Sequence, residues 1–375
     1  MNINRINLFL TFVLFLFIVI TGNIALRGAV AFIVFISCLV IFIRKKMRFV
    51  WADIFVIMLF AWCAISLLWT SPEVVRHSVL VNLMGLAACY FVAKEATYSI
   101  KSFLLSALGI ICGELVCAGL TITNWLLGDD YSSVNRFTAG DLNANYAAYA
   151  MATGIAVISI LWVLMRSMMS RKLKIFLVVS YAVSMFSIFL TGSRGATVAA
   201  LLTSIYFIMA TSRKRLHYIV AGGLVLFLGM YLAIDYLPES IKSRLLFQSN
   251  TAGYDITSGR LDFWITGIAT WLRAPYFGHG FGSFPFANGT GYEAHNFVVS
   301  ALAETGLVGL ILIVLSVVTI FIYAKPAEPY LLASRHHIWR IMLLTWMPIC
   351  LTGVWAFSAP AWVAFGWLIS VRYIK

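Results

Sequence analysis

Three side chains in this sequence stand where an ionisable group is expensive to keep, and their chemistries are complementary. Arg194 occupies Thr191-Gly192-Ser193-Arg194-Gly195, a tight turn between two strongly apolar runs. A guanidinium held there offers a planar fork of donors that matches phosphate oxygens two at a time and stays charged at any physiological pH; an anchor that snorkels to the membrane surface is the competing reading. Arg260 lies in Thr257-Ser258-Gly259-Arg260-Leu261-Asp262-Phe263-Trp264, where Thr257 or Ser258 would cap a short amphipathic helix lying along the membrane. Asp262 is two residues away and does not face it on a helix, so Arg260 is available to a ligand or is an ordinary solvated loop charge. His295, in Glu293-Ala294-His295-Asn296-Phe297, opens an apolar run. Imidazole takes a proton near neutral pH; a cap or interfacial residue is the plainer role for a histidine at a helix start.

A second set of polar residues surrounds these three. Glu304 falls about two and a half turns past His295, inside the same apolar run, and must be protonated or paired, with an arginine or a neighbouring group as its partner. Nine residues separate Asn296 from Gly306, and Gly309 follows, so that small residues would let another helix approach closely beneath the histidine. Asn143 and Asn145 begin an apolar helix; their amides bind sugar hydroxyls or cap the helix. With Arg76, Arg136, Asn296 and Glu304 they make up the candidate substrate-binding set. Asp129-Asp130 raises the question of a divalent metal, but two adjacent acids in a loop do not make a site, and no metal or cofactor is expected. Gly278-His279-Gly280-Phe281-Gly282 lacks the strand and helix that a dinucleotide fingerprint needs and reads as turns.

The elements that must position these groups are membrane helices. Of the 375 residues, 62% are hydrophobic and 11% charged, against about 25% charged in soluble domains. Apolar runs recur from end to end, which predicts an all-α polytopic membrane protein, a single transmembrane domain over 1–375. A span needs about 20 apolar residues, giving spans at roughly 8 to 20, 24 to 43, 52 to 69, 74 to 93, 102 to 127, 144 to 165, 173 to 191, 195 to 210, 217 to 234, 296 to 323, 338 to 354 and 356 to 371: about 12 transmembrane helices. Arg5 before the first run fits a signal peptide, but no small-x-small site precedes Arg27, so a retained helix is expected. The net charge of +13 comes from short basic clusters between runs and not from one stripe, which excludes a nucleic-acid partner. Lys and Arg divide 19 to 8 between alternate connections, together all 27. The positive-inside rule then puts both termini in the cytoplasm. The long connection at 235–294 becomes a periplasmic loop, too short for a strong core of its own, with one or two short helices around 256–272 laid on the membrane domain. Glu114 and Glu304 are the acids expected deep in the bilayer. All six cysteines (Cys38, Cys63, Cys89, Cys112, Cys117 and Cys350) fall in predicted spans and read as packing residues.

Taken together, Ser193-Arg194-Gly195, Ser258-Gly259-Arg260-Leu261 with Trp264 and the later Gly278-x-Gly280-x-Gly282, and His295-Asn296-x9-Gly306-x-x-Gly309 resemble the O-antigen ligase and polymerase superfamily of bacterial envelope glycosyltransferases. Asp141-Leu142-Asn143-Ala144-Asn145 is similar to the family's Asn-Pro-Asn stretch, with Ala144 where proline is usual. The resemblance implies a GT-C-like enzyme of the bacterial inner membrane with its site facing the periplasm. Its donor would be an undecaprenyl-diphosphate-linked glycan and its acceptor lipid A–core lipopolysaccharide, among membrane lipids, with Arg194 and Arg260 on the diphosphate and His295 as base. A polymerase joining carrier-linked repeats is the alternative within the superfamily. A lipid-linked glycan transporter or flippase is the alternative of another class, and it would distribute ionisable groups along midplane helices in repeated halves.

Overall fold

The computed structural model describes residues 34–36, 47–97, 99–128, 136–140, 142–211, 259–289, 291–326, 335–353 and 358–373, with isolated positions between 217 and 242. Among the described residues every regular element is a helix: α1 (Trp51–Ser66), α2 (Arg76–Ala96), α3 (Ile100–Leu127), α4 (Ala144–Met165), α5 (Arg171–Leu190), α6 (Arg194–Thr211), α7 (Arg260–Arg273), the single turn α8 (Phe284–Ala287), α9 (Phe297–Tyr323), α10 (Arg335–Thr352) and α11 (Ala359–Ser370), followed by a 3-10 turn, Val371–Tyr373. Six of these, α2 to α6 and α9, are long and apolar enough to cross a membrane, and α1 is a shorter apolar helix. The runs expected at 144 to 165 and 296 to 323 coincide with α4 and α9 to within a residue. The expected span at 8 to 20, all but 217 and 222 of that at 217 to 234, and all but 34–36 of that at 24 to 43 lie outside the described residues, as do Asp129, Asp130 and Asp141.

The helix ends follow from local chemistry. Asn143 caps α4 by accepting from Asn145 N, Ser170 caps α5 by accepting from Leu173 N, and Asn296 caps α9 by accepting from Val298 N at 2.9 Å and Val299 N at 3.3 Å. Each satisfies a backbone donor that the helix itself leaves unpaired. The start of α7 departs from expectation: its N-cap is Gly259 in the left-handed region, φ 73°, with no side-chain cap, and Thr257 and Ser258 lie outside the described residues.

The chain divides into two compact units. The first comprises 1–109, 257–332 and 350–375. In it α2 packs on α11, α1 packs on α9, and α7 packs on α9. Residues 361–370 of α11 are all buried, and Gly366 lets the helix come so near α2 that a Cβ there would collide with Tyr90 O. At the end of this contact lies a charge network that the sequence reading did not anticipate. Lys94, counted there among the connection charges, is in the last turn of α2 and fully buried. Its Nζ donates to Asp53 Oδ2 at 2.6 Å, Glu95 Oε1 at 3.1 Å and Arg48 O at 2.8 Å. Arg48 Nε reaches Glu95 Oε2 at 3.2 Å, its guanidinium lies 3.9 Å from the Tyr373 ring centroid, and Tyr90 Oη donates to Asp53 Oδ1. Asp53 and Glu95 are therefore acids buried within the protein, each neutralised by a cation, the condition on which ions are retained in a low-dielectric interior.

The second unit comprises 110–256 and 333–349. Its centre is α4, packed on α5 and α6 and buried around nearly its whole circumference, as a helix apolar on every side requires. Alanines at 147, 148, 150, 152 and 156 and Gly154 keep it slim enough for its neighbours to close on it. Glu114 of α3 is fully buried, as expected, and its carboxyl fills the space over Gly154, where any side chain would overlap it.

Candidate functional site

In the first unit the site is built on a broken helix. α9 is interrupted at Gly306, φ 67° and ψ −167°, a conformation essentially confined to glycine. In a continuous helix Leu307 N and Val308 N would donate to Ala303 O and Glu304 O. Here those carbonyls accept instead from His279 N at 2.9 Å and Gly280 N at 2.8 Å, while Leu307 N and Val308 N donate to Pro275 O at 3.0 Å and Tyr276 O at 3.2 Å. The segment 275–280 is thus threaded into the break and supplies all four exchanged partners. Gly306 was expected to admit a neighbouring helix; it admits the backbone of Tyr276 and Phe277, with which a Cβ would collide. The space beside Gly309 is filled by the Thr305 side chain.

The glycine run is the turn of this insert. Gly278, Gly280 and Gly282 all have positive φ, and side chains at the first two would overlap Glu304 and Thr70 backbone. The end of α1 is stitched to the run: Trp69 Nε1 donates to Gly278 O, Thr70 Oγ1 donates to Phe281 O, and Phe281 N donates to Ser66 Oγ. Trp62 Nε1 donates to Thr305 O at 3.0 Å, and His279 Nε2 donates to Thr270 O at 2.9 Å, tying the insert to α7. Arg76 is exposed at the start of α2 and its Nη2 donates to Thr70 O at 3.2 Å.

His295, Asn296, Glu304 and Arg260 are all attached to this frame. His295 precedes the N-cap of α9, is half-buried, and is the one non-glycine residue with positive φ among the described residues, at 48°. That backbone is uncommon for a side-chain-bearing residue. Asn296, 7% exposed, spends its carbonyl oxygen on the cap. Glu304 was expected to be protonated or paired, with an arginine as partner or a neighbouring group to orient; its Oε1 accepts from Phe284 N at 3.2 Å, at the start of α8, and no ion pair reaches it among the described residues. Arg260 is the first residue of α7, whose Trp264, one turn on, donates from Nε1 to Ala294 O at 3.0 Å. Gly267 allows α7 to lie directly on Val299 and Phe284. Arg260 is therefore carried on a helix fastened to the residue before His295.

The remaining residues fall in the second unit. Arg136, 6% exposed, donates from Nε to Thr191 O at 2.7 Å and from Nη2 to Asn145 Oδ1 at 2.9 Å. It holds the start of α4 to the turn Thr191–Ser193, in which Gly192 has φ 59°. Half-buried Arg194 follows at once, as the first residue of α6. Asn143 is exposed and engaged as the α4 cap. So the structure brings together Arg136, Asn143, Asn145 and Arg194 in one unit, and Arg76, Arg260, His295, Asn296 and Glu304 in the other.

The threaded segment was missed in the sequence, although Pro275 followed by three alternate glycines, and a glycine in mid-span, signal it together. The buried ion network was missed as well; Lys94-Glu95 at the end of an apolar run and Asp53 three residues after Val50, whose amide it accepts at 2.8 Å, were its signals.

A multi-pass helical membrane protein whose polar residues are presented from turns and from one broken helix is the class these features define. Residues 179–314 match the family model described as O-antigen ligase, Wzy_C, and the match supports the O-antigen ligase superfamily for this chain. It runs from within α5 to within α9 and takes in Arg194, Arg260, His295, Asn296 and Glu304, but not Arg76, Arg136, Asn143 or Asn145. No curated protein matches the chain. The family is associated with glycosyltransferase-like ligase or polymerase activity on lipid-linked glycan and lipopolysaccharide substrates.

Proposed function

We propose that this protein transfers a glycan from undecaprenyl diphosphate to a sugar hydroxyl of lipid A–core lipopolysaccharide, in the periplasmic leaflet of the bacterial inner membrane. The observation that carries the reading is that the O-antigen ligase match encloses Arg194, Arg260 and His295. The leaving group is a diphosphate, so the chemistry needs cationic stabilisation of its oxygens more than a general acid. Arg194 and Arg260 supply that. The acceptor oxygen attacks the anomeric carbon from the face opposite the diphosphate, the bond to the diphosphate oxygen breaks, and the anomeric configuration inverts. The hydroxyl proton passes to His295. Two guanidinium groups take the role that a metal would have, and both chain termini face the cytoplasm.

Polymerase activity uses the same chemistry with a second carrier-linked repeat as acceptor. His295-Asn296-x9-Gly306-x-x-Gly309 favours the ligase. The deciding experiment gives purified protein a carrier-linked glycan with either core lipid or a second carrier-linked repeat. Glycosylated core lipid is the expected product; a lengthened carrier-linked chain would establish the polymerase, and neither product would end both readings.

A further inference from the structure

Near Arg260 and His295 the first unit presents an aromatic face that the transfer chemistry leaves unused. The ring of Tyr292 rests on that of Phe263, with centroids 5.7 Å apart and planes at 38°, while the residue as a whole is 65% exposed. Phe263 is three residues on from Arg260 in α7, so the two share a face of that helix. Tyr292 is three residues before His295. The backbone around the tyrosine is fixed: Asn288 Nδ2 donates to Tyr292 O at 3.0 Å, Gly291 N donates to Pro285 O at 2.9 Å, and Trp264 Nε1 holds Ala294 O. Approach is open, for a Cβ at Gly289 or Gly291 would meet nothing within 4 Å.

A tyrosine at a membrane surface is ordinarily an anchor in the interfacial aromatic belt, and the geometry of α7 argues against that role. Leu261, Ile265, Ile268 and Leu272 form its exposed apolar stripe, the side an interfacial helix turns to hydrocarbon. Phe263 follows Leu261 by two residues, about 200° round the helix, so the tyrosine that leans on it stands away from the stripe. A fixed aromatic ring exposed there, close in sequence to an imidazole and borne on the helix of a guanidinium, suits a ligand with a flat patch of C–H groups edged by hydroxyls. A pyranose is such a ligand: its oxygens polarise the C–H bonds of one face, which pack on the negative face of an aromatic ring, and its hydroxyls stay at the rim for water or polar side chains. We propose that Tyr292, backed by Phe263, is a stacking platform for a pyranose ring of the glycan substrate. That the ligand is a sugar rests on the proposed function; the place and exposure of the ring do not. A pyranose stacked there would belong to the reacting end of the donor or of the acceptor, the end that Arg260 and His295 serve.

The test uses the full-length protein in phosphatidylcholine nanodiscs and saturation-transfer difference NMR, with irradiation of the protein's aromatic protons. Two water-soluble probes are compared, core oligosaccharide released from lipid A and O-antigen repeat released from its carrier. Ring C–H protons of at least one probe should be saturated; a response from the core oligosaccharide assigns the platform to the acceptor, and one from the repeat assigns it to the donor. Tyr292→Ala should weaken that binding about tenfold, while Tyr292→Phe and Tyr292→Trp retain it and thermal unfolding is unchanged in all three. Phe277→Ala removes an exposed aromatic ring elsewhere in the unit and should have no effect. Absence of saturation in both probes, undiminished binding in Tyr292→Ala, or an equal loss in Tyr292→Phe or in Phe277→Ala would overturn the proposal. Binding is read without glycan transfer, so a protein that stacks sugar on Tyr292 and makes no product would refute the proposed activity and leave this inference standing. Normal transfer with unchanged sugar binding in Tyr292→Ala would do the reverse.

Discussion

Gly306→Ala tests the broken helix directly. The alanine has two routes. It can keep φ near 67° and ψ near −167°, at a strain of about 1–3 kcal/mol, while its Cβ pushes Tyr276 and Phe277 away and weakens the bonds from Leu307 N and Val308 N. Alternatively α9 can close, regaining Leu307 N to Ala303 O and Val308 N to Glu304 O but leaving His279 N, Gly280 N, Pro275 O and Tyr276 O without partners. Four bonds become two, a net loss of about 2 kcal/mol at roughly 1 kcal/mol each, and more where the stranded groups cannot reach water. Either route costs about 3 kcal/mol, taken from the local stability of 275–280. Hydrogen exchange at the His279 and Gly280 amides should then accelerate roughly a hundredfold, with glycan transfer falling in parallel and the helices of the second unit unaffected. Wild-type protection at those two amides in Gly306→Ala would refute the claim that the break is held open by the threaded backbone.

Four further outcomes are expected. His295→Gly should abolish glycan transfer while the protein still folds, since glycine accepts the positive φ of 48° without strain; transfer by the folded variant would remove the base. Arg194→Lys and Arg260→Lys should each lose transfer, because a point charge lacks the two-pronged geometry, and wild-type rates in both would reduce these arginines to anchors. Lys94→Met should cost about 3–5 kcal/mol by leaving Asp53 uncompensated, and Lys94→Met with Asp53→Leu should recover part of it; a double variant less stable than the single, by thermal unfolding in detergent, would contradict the pairing. Transfer should survive EDTA; activity lost to the chelator and restored by Mg²⁺ would bring Asp129 and Asp130 into the site.

The helices were legible in the sequence because hydrocarbon imposes one requirement on every span, and an apolar run of the right length satisfies it whatever its neighbours. α4 and α9 are the clearest cases. A cap among Asn143 and Asn145 was legible, since capping is a matter of two or three residues; Asn296, read there as a substrate-binding amide, has its carbonyl oxygen on the cap of α9. What could not be read there depends on partners distant in sequence. Lys94 looks like a connection charge until Asp53, 41 residues away, is brought to 2.6 Å. Glu304 invites an arginine until the amide of Phe284 is seen to occupy its oxygen. Gly306 follows a Glu-Thr pair in an apolar run and reads as a packing glycine, because a span pattern says nothing of which turns are actually closed. For the candidate site, sequence and family resemblance supplied the residue types, and the fold supplied what each one rests on: Arg136 under the Arg194 turn, Trp264 beneath Ala294, and the glycine run inside α9.

Breaking a helix within an apolar span exposes two donors and two acceptors that lipid cannot satisfy. The break at Gly306 is therefore tolerable only if another backbone brings the complementary set, and 275–280 brings it in register. The consequence reaches His295. The chain from Gly280 to Asn296 is pinned at both ends to the same helix, by the bond of Gly280 N to Glu304 O and by the Asn296 cap. Between these, Glu304 holds Phe284 and Trp264 holds Ala294. A loop closed at so many points has little freedom to swing over a substrate. His295 is thereby presented in one backbone geometry, including its unfavourable φ, by hydrogen bonds made within the protein itself. That is the pre-organisation a proton acceptor needs, and it is supplied by Gly306, which touches no substrate.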